Sequence, residues 1–298
     1  MIKRNGSIVA LPLESVSAIY LNAYLSFLVM YKRIVMIVDS GIETKFASRY
    51  ALLIARVARA KLYLVPAFRD SEVLANLEEI RSIAEREGVE TEQLAIEESL
   101  VREVNNLVRD KQMDLIVVVL KGERDGRFFI GTLAQRLMKH AQASVIGVRI
   151  VKARPLTHHR KLLVPVSNRD YHFKERLFLI DTLARCLNLD VSLFRCIKSL
   201  GRSFDRDEMA AFFTESEDYL SPFKDCLCGC GVAADVRVQV CEKNATDSIL
   251  DEAMSGRFDL LLVHALKRNV VKEFLGSNEM EEIIRRTPAN LLLWKSRD

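Results

Sequence analysis

The sequence predicts an α/β protein built from two tandem domains, each a doubly wound parallel sheet. Three observations carry this prediction. From residue 31 onward short apolar runs alternate with amphipathic helical stretches, the series restarts after residue 160, and two stretches of the chain are near copies of each other. The copies, Asp114 to Thr132 and Asp259 to Ser277, each open on an aspartate and an apolar run and then cross a basic loop. Seventeen residues after the aspartate each reaches a Gly-hydroxyl pair, Gly131-Thr132 or Gly276-Ser277. That order reads as strand, loop and helix N-terminus, where free backbone N–H groups and the helix dipole both favour a bound anion such as phosphate.

In the first half, Arg33 to Asp39 is a continuous apolar run ending in a carboxylate, the pattern of a strand buried on both faces. Phe46, Tyr50, Leu53 and Val57 then recur at helical spacing, with Lys45, Arg49, Arg56 and Arg59 off that face. Lys61 to Phe68 reads as the second strand, Asp70 to Glu87 as a helix closed at Gly88, and Val89 to Ile96 as a weaker strand. Leu100, Val101, Val104, Leu107 and Val108 mark a third helix, and Met113 to Leu120 is the strongest strand of this half. The loop, a helix from Gly131 to about His140 and a strand over Ser144 to Val151 complete it. Right-handed crossovers between these elements give a parallel sheet.

Residues 152–160, with Pro155 and His158-His159, read as a linker between a first domain over 31–151 and a second over 161–298. Lys161 to Val166 is the new first strand, and Phe173, Leu177, Ile180, Ala184 and Leu187 repeat the helical face. Asp190 to Cys196, Val236 to Glu242, Phe258 to Val263 and Ala289 to Trp294 supply further strands, with a helix over Thr246 to Met254. Equivalent positions are offset by 128 residues at the first strands (Arg33 with Lys161) but by 145 at the Gly-hydroxyl pairs, so the second half carries about 17 extra residues, placed near 200–233.

A first strand ending in Asp, a hydrophobic second strand, and a late strand followed by a glycine loop, Gly-Ser/Thr, a helix and a closing Val-rich strand resemble the universal stress protein family. The resemblance covers Tyr31 to Asp298 and, with the duplication, is that of a tandem member with universal-stress-type, Rossmann-like domains. It implies a regulatory or protective role and, as in many members, ATP or AMP held by the Asp after the first strand, a hydrophobic residue late in the second and a Gly-x2-Gly-x9-Gly-Ser/Thr loop. Carried onto the first half, this gives Asp39, Val65, Gly122, Gly131 and Thr132. Val119 stands at the first glycine, and only eight residues separate Gly122 from Gly131. A Cβ there crowds a phosphate, and a shorter loop re-aims its N–H groups. In the second half Gly276 and Ser277 remain, but His264 and Lys267 occupy the earlier glycine positions and Ser167 replaces the aspartate. The resemblance therefore favours the first half. It also implies that the two domains pack on each other as separate members pair, with the closing strands in contact, and it leaves open a homodimer and an unidentified protein partner.

Simpler readings stand beside these. Asp39 before Ser40-Gly41 is equally a turn or N-cap aspartate, and Gly131-Thr132 equally a helix start with a hydroxyl cap. Neither half has the Gly-x4-Gly-Lys-Ser/Thr phosphate loop, and no Ser-His-Asp or Cys-His order with supporting context appears, so no catalytic residue is assigned. Slow nucleotide hydrolysis is not excluded by this, although no general base is evident. The alternative function is a nucleotide-free interaction scaffold with degenerate loops, docked to a membrane or a partner through the N-terminal segment. Cys226, Cys228 and Cys230 could bind Zn²⁺ with Cys196 or Cys241, but Cys-x-Cys-x-Cys is not the usual zinc spacing, and small hydrophobic or oxidisable thiols are the commoner outcome.

The bulk numbers set bounds. A net charge of +4 from 44 basic and 40 acidic residues, interspersed, gives no nucleic-acid footprint, and 7% aromatics without a basic stripe gives no single-strand signature. All six cysteines fall in the second half, unlike a disulfide-stapled secreted domain, which fits a reducing cytoplasm. Residues 1–30 are an apolar extension interrupted by Pro12, Glu14 and Asn22. Four readings compete for it: a membrane anchor, a signal peptide, a packed or interfacial helix, and a mis-assigned start with translation from Met30. A signal peptide fits least, for want of a small-residue cleavage site. Membrane contact follows only if the extension is translated.

Overall fold

The computed structural model describes residues 30–95, 99–121, 132–167, 172–198, 205–241, 244–265 and 279–297. Ten strands form one sheet in the order β3-β2-β1-β4-β5-β10-β9-β6-β7-β8. The first half supplies β1 (Arg33–Val38), β2 (Lys61–Pro66), β3 (Thr91–Gln93), β4 (Leu115–Val119) and β5 (Ser144–Arg149). The second supplies β6 (Lys161–Pro165), β7 (Asp190–Lys198), β8 (Ala234–Cys241), β9 (Leu260–His264) and β10 (Asn290–Lys295). Within each half all pairs are parallel, and the two halves have the same strand order read from opposite ends. Because the apolar runs have no polar alternation, each central strand is buried on both faces.

The helices are α1 (Ile42–Ala58), α2 (Ser71–Arg86), α3 (Leu100–Asp110), α4 (Leu133–His140), α5 (Phe173–Leu187), α6 (Arg206–Gly229), α7 (Ala245–Ser255) and α8 (Glu279–Arg286). Successive strand residues feed opposite faces: Ile34, Met36 and Val38 join the core under α1, α2, α5 and α6, while Val35 and Ile37 join the core under α3, α4, α7 and α8. Both cores run through both halves, so the chain buries one continuous interior. Helix ends follow the sequence: Asp70 caps α2 by accepting from Val73 N, and Gly88 turns the chain after α2 at φ +70°, which only glycine adopts without strain.

The halves meet where β5 pairs antiparallel with β10, Leu293 opposite Gly147. Glycine is needed at 147 because a Cβ would stand 2.9 Å from the Leu120 side chain. Polar groups lock this seam. Glu175 accepts from Tyr31 Oη at 2.6 Å, from Trp294 Nε1 at 3.3 Å and from Ser144 Oγ. Lys295 is buried and donates to the carbonyls of Ala141 and Ala143, the end of α4, where a cation suits the helix dipole. A second cluster joins Tyr50 Oη to His159 Nε2 at 2.9 Å, and Asn290 Oδ1 accepts from Val151 N and Lys152 N.

About half of the extra length of the second half lies in α6, a 24-residue helix where α2 has 16 residues. It opens on a capping box, Asp205 and Glu208 each accepting from the other's backbone N–H. The second-half cysteines divide into one bonded pair and four free thiols. Cys196 and Cys241 are joined to each other, because neighbouring β7 and β8 bring their Cα atoms within 6.0 Å. Among the described residues no group of three His, Cys, Asp or Glu side chains is placed to hold a metal, so Cys226, Cys228 and Cys230 form no such site. Burial pushes Cys230 up to about 11 and raises Cys226 as well, so both are held as neutral thiols. No helix among the described residues is long and apolar enough to cross a membrane; the extension before Met30 lies outside them.

Candidate functional site

In an open α/β sheet the crevice for a ligand lies beyond the strand C-termini, where the strand order reverses. In the first half that point is between β1 and β4. β1 delivers Asp39 to it and β4 delivers Lys121, and the Lys121 ammonium lies 2.7 Å from Asp39 Oδ1. Asp39 is largely buried, while Lys121 keeps a third of its surface open.

The chain after β1 is shaped around this carboxylate. Asp39 Oδ1 accepts from Gly41 N at 2.9 Å and from Thr44 Oγ1 at 2.7 Å, which holds the turn into α1. From α2, Asn76 Nδ2 donates to the Asp39 carbonyl at 2.7 Å and fixes the strand end. Gly41 leaves the room Lys121 uses, since a Cβ there would stand 2.5 Å from its ammonium. The local result is an acid and a cation side by side at the mouth of the crevice, with Oδ1 already engaged.

Of the residues expected here, Val65 is fully buried near the end of β2 and packs into the core. Thr132 is the N-cap of α4, its hydroxyl accepting from Gln135 N at 3.2 Å. Gly122, Gly131, Gly276 and Ser277 lie outside the described residues. Lys121 was not singled out from the sequence, because it is one of several cations around the loop and only the β1–β4 pairing brings it to Asp39.

The equivalent crevice of the second half, between β6 and β9, is built differently. Ser167 stands in place of Asp39, and its carbonyl accepts from Tyr219 Oη on α6. His264 ends β9 and stacks on Trp294, ring centroids 4.3 Å apart and planes 23° apart. Burial, with Arg176 and His172 nearby, pulls His264 down to about 3, so it is neutral.

The aspartates that open the two copies have matching structural duties. Asp114 Oδ2 accepts from Lys32 N and Arg33 N, and Asp259 Oδ2 accepts from Arg160 N and Lys161 N. Each pins the entry of its half's first strand, at the edge opposite the crevice.

Residues 30–149 match the model of the Universal stress protein family. The first half therefore carries a universal stress protein domain. Among curated proteins none matches the sequence. Over nearly the whole chain, the fold is similar to a functionally unknown protein from Pseudomonas aeruginosa PAO1, at 17% identity and a TM-score of 0.61, covering 91% of this chain and 95% of that one. It is likewise similar to a universal stress protein from Archaeoglobus fulgidus DSM 4304, at 13% identity and a TM-score of 0.59, covering 89% and 97%. The cytoplasmic domain of a prokaryotic cation chloride cotransporter matches at 14% identity and a TM-score of 0.60, covering 90% and 96%. At such identities these likenesses speak for the fold, an α/β chain with a mostly parallel central sheet of the universal stress protein kind.

Proposed function

We propose that this chain is a tandem, cytoplasmic universal stress protein with a regulatory or protective role, and that its first half takes an adenine nucleotide, ATP or AMP, in the β1–β4 crevice. The observation that carries the reading is the Asp39–Lys121 pair at the reversal of strand order. Asp39 Oδ2 is the acceptor for a ribose hydroxyl, and the Lys121 ammonium is the group that draws a phosphate by charge where the degenerate loop offers fewer glycines. No side chain at this crevice is assigned as a nucleophile or general base, so binding rather than turnover is the proposed activity.

A ligand that binds only the folded form raises stability by RT ln(1 + [L]/Kd), about 2.7 kcal/mol at a hundredfold excess over Kd. Thermal unfolding with and without ATP and AMP is expected to show a concentration-dependent rise that Asp39→Ala and Lys121→Ala each reduce. A rise that both variants leave intact removes the assignment to this crevice.

A second reading, a nucleotide-free interaction scaffold, is favoured by one specific feature. Asp39 Oδ1 and the Thr132 hydroxyl already serve turn and cap, as in a loop that has lost its ligand. Unfolding temperatures unmoved by millimolar nucleotide would favour it.

A further inference from the structure

The second half holds a cleft of about 160 Å³ beyond the ends of β6, β7 and β9, closed by the first turns of α7 and α8. Its walls are apolar, formed by Val166, Phe194, Ile249, Val263, Met280 and Ile283. A dry cavity of about 150 Å³ is enough for a benzene ring. Among the described residues its polar lining is the buried Arg176 guanidinium, the Ser167 and Thr246 side chains and the Glu279 carboxylate at the exposed rim. His264 also lines the cleft. Its Nε2 is 3.3 Å from Ser296 Oγ, while its buried Nδ1 has no hydrogen-bond partner among the described residues. A buried imidazole nitrogen without a partner costs free energy unless a ligand satisfies it.

We propose that this cleft binds a small, uncharged, ring-bearing molecule with one hydroxyl or N–H group, which pairs with His264 Nδ1 while the ring packs between α7 and α8. The apolar walls supply the driving force, and a charged ligand would lose its hydration among them. Because burial keeps His264 neutral, recognition is by a neutral hydrogen bond and holds across physiological pH. The site is separate from the first-half crevice and does not depend on the nucleotide reading.

The chain carries a single tryptophan, Trp294, stacked on His264, so occupancy of the cleft has a built-in reporter. Phenol added to the full chain is expected to change Trp294 emission saturably, with benzoate at least about ten-fold weaker because it buries a charge. By calorimetry, His264→Phe is expected to weaken phenol about ten-fold while leaving toluene unchanged. Ala245→Phe, which fills the cleft from the start of α7, is expected to abolish binding of both with the unfolding temperature preserved. A linear, non-saturating response to phenol, benzoate binding as tightly as phenol, or a folded Ala245→Phe protein that still binds would overturn the proposal. The phenol and benzoate comparison on the unsubstituted chain decides even if neither variant folds.

Discussion

At the scale of single residues, buried acceptors carry more of this structure than the apolar pattern alone suggests. Glu175 gathers Tyr31, Ser144 and Trp294 from three separate segments. Burial and the neighbouring carboxylate hold the Tyr31 phenol well above its usual range, so it stays a donor. Removing the acceptor strands these donors at the seam. Glu175→Ala is expected to cost about 3 kcal/mol in urea unfolding, and Glu175→Gln less, since the amide oxygen still accepts. Asp114→Ala and Asp259→Ala, each removing an acceptor for two backbone N–H groups, are expected to cost about 1–2 kcal/mol apiece, and nearly equal values would bear out their matched roles. Asp39 could be named from its place at the end of an apolar run. Glu175 could not, because an acid in the first turn of an amphipathic helix reads as ordinary surface charge. Lys121 escaped notice for a related reason: its significance is a long-range distance, and no local spacing encodes it.

At the scale of elements, strands and helices were legible because each has one dominant periodicity, apolar runs buried on both faces or a four-three helical face. The third strand is expected over Val89 to Ile96 but has only three residues, Thr91–Gln93, paired with β2 alone. The extra residues of the second half are expected near 200–233 as connection, yet this segment holds the helix α6, eight residues longer than α2. The Asp205 to Glu208 capping box was the available signal, masked by a helix whose exposed face is long and whose interior includes Pro222. Pairing of Cys196 with Cys241 was not legible because the two are 45 residues apart and meet only once β7 and β8 are neighbours. Linking them restrains the segment that contains α6. Cys196→Ser with Cys241→Ser is expected to lower stability by about 3 kcal/mol under oxidising conditions and to leave it unchanged under reductant, compared by chemical denaturation.

At the scale of the whole molecule, one continuous sheet makes the two halves a single cooperative body, and the seam sets its response to pH. His159 is buried, and its Nε2 lies within hydrogen-bond distance of the Tyr50 hydroxyl beside Asn290. Burial lowers its pKa below the ordinary value, since the charged ring has no water there. A group with a depressed folded pKa contributes stability that is whole above its unfolded pKa and is lost as pH falls through that value toward the folded one. For His159 that loss begins near pH 6.5 and grows as the solution is acidified. The unfolding temperature is expected to fall below about pH 6.5, and His159→Gln to flatten part of that fall. The remainder belongs to His264, whose folded value near 3 extends its share further into acid.

We propose that the nucleotide binds in the first half, because there, among the described residues, a carboxylate faces a lysine across the reversal of strand order. Isothermal titration of ATP and AMP into the full chain tests it most directly. The expected result is saturable heat with one site per chain, lost in Asp39→Ala and retained in Ser167→Ala. Two sites per chain, binding untouched by Asp39→Ala, or no heat at millimolar nucleotide would contradict it.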